Sequence, residues 1–210
     1  MRFSSAFVAA CTLVGSLVAS LLLAPRSADG QALSPDTLVS ALRQGGYVLV
    51  MRHASSPREA PDSKTANPDN VKLERQLDEA GRAAATAMGK ALRELKVPVG
   101  EVLTSPTYRA METVRLAQLL NPKPWAEIGD AGASMKGVTE AQAVWLREKV
   151  TQRPKGTNTI LVTHMPNIAR AFPDAGSAVA DGEALVFRPD GKGGTAVVAR
   201  VKIEDWPRLR

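Results

Sequence analysis

At 210 residues the chain is long enough for one domain with a proper core, and its 44% hydrophobic and 23% charged residues are those of a globular protein, not a disordered one. A formal charge of +6 favours anionic partners, but the basic residues are scattered, without long runs or basic–aromatic interleaving, so nucleic acid is not an expected partner. One cysteine and two histidines leave no metal-ligand spacing, and neither a metal nor another cofactor is expected.

The first residues read as a targeting segment. Arg2 supplies a positive charge, Ala6 to Ala24 is nearly all apolar or small, and Gly30-Gln31-Ala32 offers small residues at −3 and −1 of a signal-peptidase site. The expectation is a signal peptide over 1–32, a mature domain over 33–210, and export to the periplasm or beyond. The alternative is an uncleaved membrane anchor, since the apolar run is long enough to span a bilayer. With the signal removed, no stable membrane association is expected. Cys11 lies inside the apolar run, so the mature chain has no cysteine and forms no disulfide.

Ser34-Pro35-Asp36 predicts a capped helix start, with Leu38, Ala41 and Leu42 at helical spacing and Gly45-Gly46 as the stop. Val48 to Met51 is an apolar strand that ends abruptly in Arg52-His53. Residues 54–72, rich in Ser, Pro, Asp, Asn and Lys, predict a long loop. A helix is predicted from about Asp78 to Lys96, because Leu77, Ala80, Ala84, Met88, Ala91, Leu92 and Leu95 keep one apolar face. A short strand, Glu101 to Thr104, is followed by a helix with Ser105 as N-cap and Pro106 at its first position. Prolines and glycines break up 121–138, where Trp125 to Ile128 suggests a short edge strand. Thr139 caps a helix to about Gln152. A second strand-like run, Thr159 to Thr163, ends in the other histidine, His164. Met165-Pro166-Asn167 begins a helix or turn, and Gly176 to Asp181 is loop. Glu183–Arg188 and Thr195–Val201 flank a Pro/Gly-rich turn and predict a terminal hairpin. Strand–helix units followed by a hairpin predict a mixed, mostly parallel sheet in an α/β fold.

Two apolar strands that each deliver a histidine at the C-terminal end match the site position of open α/β sheets. Arg52 and His53 end one strand, His164 ends another, and Arg109 lies in the first turns of the helix after Ser105-Pro106. If these ends meet, two guanidinium forks and two imidazoles surround one small volume, and that set suits a phosphoryl group. An imidazole there can attack phosphorus and become a phosphohistidine, and neighbouring cations keep its nitrogen unprotonated. Each element alone has a plainer reading: a strand-end histidine satisfying backbone groups, or Arg109 pairing with Glu112 along its helix. Arg75 and Arg82 are read as structural.

Val50-Met51-Arg52-His53-Ala54 resembles the Arg-His-Gly motif of the histidine phosphatase superfamily, branch 1, with its phosphoglycerate-mutase-like fold. Ser105-Pro106-Thr107-Tyr108-Arg109-Ala110-Met111-Glu112-Thr113 resembles that family's Ser-Pro-x-x-Arg-Ala-x-x-Thr segment. Leu77 to Arg82 is similar to its Leu-x-x-x-Gly-x segment, and Val162-Thr163-His164 to its second histidine motif. The resemblance spans about residues 46–200. It implies a three-layer α/β/α sandwich, no metal, His53 as the phosphate-accepting nucleophile, and Arg52, Arg109 and His164 as the rest of the phosphate pocket. Ala54 replaces the usual glycine, as in the small SixA-like phosphohistidine phosphatases. The acid-donor segment of the family's mutases has no match here, so the resemblance does not extend to mutase activity. Candidate proton donors are Glu127, Asp130 and Glu183, from loops near the strand ends. The 54–72 loop is expected to lie over the pocket and govern substrate choice. The expected function is an exported, metal-independent phosphomonoesterase acting on a small phosphorylated substrate or a phosphoprotein. The alternatives are a non-catalytic phosphate- or phospholigand-binding protein of the same fold, and an envelope-structural protein carrying a degenerate domain.

Overall fold

The structure, a computed structural model, describes Met1, residues 32–130 and residues 137–210. Apart from its end residues, the predicted signal segment lies outside the described residues. Among the described residues six strands form one sheet: β1 (Val48–Arg52), β2 (Val99–Thr104), β3 (Lys123–Pro124), β4 (Asn158–Thr163), β5 (Ala184–Pro189) and β6 (Thr195–Val201), in the order β3-β2-β4-β1-β5-β6. The first four run parallel, and the β5–β6 hairpin adds two antiparallel strands beside β1. The sheet is therefore mixed and mostly parallel.

Strand alternation builds the layers. Leu49 and Met51 of β1, Ile160 and Val162 of β4, and Val186 of β5 face one core with α1 (Pro35–Gln44), α2 (Glu79–Glu94) and α3 (Tyr108–Leu116). Val48, Val50, Leu161, Leu185 and Phe187 face the other, with α4 (Glu140–Lys149) and α5 (Met165–Ala171). A four-residue helix, α6 (Pro173–Gly176), follows α5. The result is an α/β/α sandwich. Both faces of β1 and β4 are covered, which explains why these strands read as continuous apolar runs.

Capping fixes where the helices enter. Ser34 caps α1 and Thr139 caps α4 through a capping box with Gln142. Asp78 caps α2 by accepting the Gly81 N–H at 2.7 Å. The same carboxylate accepts the Ser55 hydroxyl at 2.6 Å, and the Asp78 N–H donates to the Ser55 carbonyl at 3.1 Å. The start of α2 thus clamps the chain just beyond His53. Gly81 is required by that contact, because a Cβ there would lie 2.2 Å from the Ser55 carbonyl oxygen.

Three predicted boundaries are corrected. The helix after β2 begins at Tyr108 with Thr107 as N-cap, not at Ser105-Pro106, because the Ser105 N–H still continues the sheet by donating to Val162 O at 2.8 Å. The edge strand is Lys123–Pro124, while Ala126–Ile128 forms a 3-10 turn. Trp125 stacks instead on Trp145 of α4, ring centroids 5.8 Å apart. The hairpin strand β5 starts at Ala184, one residue after Glu183, and extends through Pro189.

Candidate active site

β1 and β4 are parallel neighbours with Arg52 opposite Thr163, so the next residues, His53 and His164, leave the sheet side by side. The His53 N–H donates to the Thr163 carbonyl at 2.9 Å, and the two imidazoles lie edge to face with centroids 5.2 Å apart. Both side chains are buried.

The third element is α3. Its N-cap Thr107 makes no side-chain cap bond; the Tyr108 N–H donates instead to the Glu74 carboxylate at 2.9 Å, a charge-assisted cap supplied by the 54–77 connection. Asn67 of that connection donates to Tyr108 Oη and to the buried Glu112 carboxylate, which also accepts the Leu77 N–H. Thr113 Oγ1 accepts the Ala54 N–H at 3.1 Å and donates to the Arg109 carbonyl at 2.8 Å. One hydroxyl therefore joins the residue after His53 to the helix that carries Arg109.

Arg109 sits at the centre, 5% exposed. Its Nε donates to His53 Nε2 at 3.1 Å, and its Nη2 donates both to His164 Nδ1 at 3.1 Å and to the Asp130 carboxylate in a short ion pair. These partners assign the tautomers. His53 Nδ1–H donates to the Ala54 carbonyl at 2.8 Å, so its lone pair is on Nε2, where it accepts the Arg109 Nε–H. His164 keeps its lone pair on Nδ1, facing Arg109, and donates Nε2–H to Ser105 Oγ at 2.7 Å. Burial lowers the pKa of both from 6.5 to about 3. For His53, the Ala54 bond opposes the shift while His164, Arg109 and Arg52 add to it; for His164, Arg109, Arg75 and Arg52 add to it.

The remaining candidates divide. Arg52 turns its guanidinium to the loop before β5, donating to Val179 O at 3.2 Å and pairing with Asp181 at 2.6 Å. Asp130 reaches the histidines through Arg109. Glu183 does not: Arg200 binds both its oxygens, at 2.8 and 3.1 Å, and the Ala180 N–H takes one at 2.8 Å. Burial works against its charge, yet Arg200 and the Ala180 N–H hold Glu183 below the ordinary carboxylate range, a poor state for a proton donor. Glu127 lies on the 3-10 turn, and no contact among the described residues brings it to the histidines. The plainer reading of Arg109 is also corrected, since its partners are the imidazoles and Asp130, not Glu112.

Two residues of the site escaped sequence reasoning. Arg75 does hold the connection, through Pro57 O at 2.6 Å and Ser56 O at 3.1 Å, but it also adds its charge to the pocket's field. Asp181 is the partner of Arg52. Neither carries a motif; only the closing of distant loops over the strand ends reveals them. A cavity of about 480 Å³ lined in part by Tyr47, Arg153 and Arg188 lies at the opposite end of β1 and includes none of these residues.

The sequence model of the histidine phosphatase superfamily, branch 1, matches residues 48–129, from β1 to the residue before Asp130. No curated protein matches the chain. Among solved structures, the protein histidine phosphatase SixA, determined with tungstate, superposes with a TM-score of 0.53 at 16% identity, covering 76% of this chain and 98% of its own. YhfR from Bacillus stearothermophilus gives 0.52 at 18%, covering 73% and 95%. A phosphoserine phosphatase from Entamoeba histolytica, in complex with 3-phosphoglyceric acid, gives 0.51 at 11%, also covering 73% and 95%. The chain has the fold of the histidine phosphatase superfamily, branch 1. No helix among the described residues is long and apolar enough to cross a membrane, and no group of three or more His, Cys, Asp or Glu side chains among them could hold a metal ion.

Proposed function

We propose that the chain is an exported, metal-independent phosphomonoesterase that works through a phosphohistidine at His53. The observation that carries this reading is the bonding of His53: Nδ1 lies 2.8 Å from Ala54 O and Nε2 accepts from Arg109, which assigns the proton to Nδ1 and leaves the Nε2 lone pair toward the arginine that would hold phosphate. The family match and the phosphatases among the similar folds support the reaction class. Arg52, Arg75 and Arg109 outnumber the carboxylates Asp130 and Asp181 paired with two of them, and this excess of positive charge favours a phosphoryl anion over a divalent cation, which supports chemistry without a metal.

In the proposed reaction the phosphoryl oxygens take the forks of Arg52 and Arg109. His53 Nε2 attacks phosphorus while the P–O bond to the leaving group breaks, and the leaving oxygen takes, through Asp130, the proton that the substrate monoanion brought in. Water then attacks the phosphohistidine and gives a proton back to Asp130, phosphate departs, and Nε2 regains its lone pair. His164, its Nε2–H on Ser105, holds a transferring oxygen through Nδ1 once the bound dianion has drawn a proton onto that nitrogen. The substrate is a small phosphate ester or a phosphoprotein. Rapid quench with labelled substrate under basic conditions, followed by peptide mapping, tests the mechanism. The label is expected on His53 and absent from His53→Ala; a label on Ser55, Ser56 or Ser105 would overturn it. Export predicts a mature N-terminus at Leu33 by mass spectrometry, and a membrane-bound form starting at Met1 would refute cleavage.

A further inference from the structure

Asp130 stands at the end of a segment whose backbone is held by the element that carries His164. Thr163, the last residue of β4, donates Oγ1–H to the Ile128 carbonyl at 2.8 Å. Asn167, in the first turn of α5, donates Nδ2–H to the Gly129 carbonyl at 3.1 Å. Thr163 is fully buried and Asn167 is 2% exposed. The two acceptors are consecutive. The Ile128 carbonyl sets the peptide plane between residues 128 and 129, and the Gly129 carbonyl sets the plane that contains the Asp130 nitrogen. Together they fix where the Asp130 backbone begins relative to His164, which lies between Thr163 and Asn167 in sequence. The turn is closed from the other side by the Gly129 N–H on Ala126 O at 2.9 Å, with the Ile128 side chain buried in the core.

Packing alone does not explain the amide. Only the NH2 of Asn167 can donate to a carbonyl, and this leaves its Oδ1 buried without a hydrogen-bond partner among the described residues. An apolar residue of similar volume would spare the fold that unpaired oxygen but would release the Gly129 carbonyl.

We propose that Thr163 and Asn167 are positioning residues that hold Asp130 against the leaving-group side of the His53–Arg109–His164 centre. The role rests on the reading of Asp130 as the proton donor. A donor must sit within hydrogen-bond reach of one oxygen, and an acid freed to drift by an ångström loses most of its effect. The consequence depends on the leaving group. A nitrophenolate departs without a proton, whereas an alkoxide needs one.

The test compares kcat/KM, which reads the steps up to leaving-group departure and not the shared hydrolysis of the phosphohistidine, for 4-nitrophenyl phosphate and for glycerol 2-phosphate in the full chain and its variants, reading the alkyl-to-aryl ratio. Asp130→Asn should lower the ratio about a hundredfold. Thr163→Val and Asn167→Ala should each lower it about five- to tenfold, and Thr163→Ser, which restores the hydroxyl, should recover it. Asn167→Ala added to Asp130→Asn should lower the ratio little further, because there is no acid left to position. An unchanged ratio in Asp130→Asn overturns the donor reading and the positioning role with it. A lowered ratio in Asp130→Asn beside proportional losses on both substrates in Thr163→Val and Asn167→Ala overturns the positioning alone. Thr163→Val removes one hydroxyl at nearly constant volume, so it decides the question if Asn167→Ala does not fold.

Discussion

Acidifying the ligand-free protein from about pH 7.5 to about pH 5 should destabilise it through its two histidines. Unfolded, each titrates near 6.5; folded, both stay neutral down to about 3, held there first by burial and then by the surrounding cations. Between those values the unfolded chain binds protons that the folded pocket refuses, so stability falls as the pH drops below 6.5. The slope is about 1.4 kcal/mol per pH unit for each histidine. At pH 5 each costs about 2 kcal/mol and the pair about 4, a large part of the stability of a domain this size. Urea denaturation at both pH values measures the loss, and His53→Gln/His164→Asn should remove most of it. Saturating phosphate should also reduce it, because a bound dianion favours the protonated imidazole. An acid loss of the same size in the double variant would refute the reasoning.

Arg109→Ala should weaken phosphate binding and kcat/KM together by about ten- to a hundredfold, since charge-assisted bonds of this kind are worth about 1.5–3 kcal/mol. Near-wild-type kinetics, with phosphate affinity unchanged by calorimetry, would place this arginine outside the reaction. Gly81→Ala forces a methyl to within 2.2 Å of the Ser55 carbonyl, two residues past His53. It should cost about 1–3 kcal/mol of stability and turnover as well, read by thermal melting and by activity on 4-nitrophenyl phosphate.

What was legible in the sequence is what local pattern controls. Continuous apolar runs announced β1 and β4, because helices cover both faces of these strands, and the abrupt polar ends of the runs announced the histidines. Arg109 was legible through the motif around Ser105-Pro106. The start of its helix was not, because the cap comes from Glu74, more than thirty residues earlier, while Ser105 is occupied by the sheet and by His164. The choice among three carboxylates was illegible for the same reason. Glu127 and Asp130 differ by three positions on a tight turn, and only the Arg109–Asp130 ion pair shows which of them meets the histidine cluster. Glu183 is claimed by Arg200 on the adjoining strand, a pairing fixed by hairpin register and not by spacing along the chain.

The resting pocket already contains anions. Asp130 lies on Arg109 and Asp181 on Arg52, so each guanidinium that the proposed reaction assigns to phosphate carries an internal carboxylate. A buried guanidinium without a counter-ion is costly, and Asp130 offsets that cost for Arg109, whereas Arg52 and Asp181 are part-exposed. Phosphate binding is then an exchange of one anion for another, and its affinity falls below what the arginine contacts alone would give. The exchange has a use in the proposed mechanism. A phosphoryl dianion on the Arg109 fork displaces the Asp130 carboxylate, and two anions side by side are stabilised by a shared proton. Asp130 is released from its cation and made a better donor in the same step that brings phosphorus to His53 Nε2. When free phosphate remains at the end of the cycle, it leaves with the proton that Asp130 took from water, and the Asp130 and Asp181 carboxylates return to their arginines, so the pairs that weaken binding also limit product inhibition.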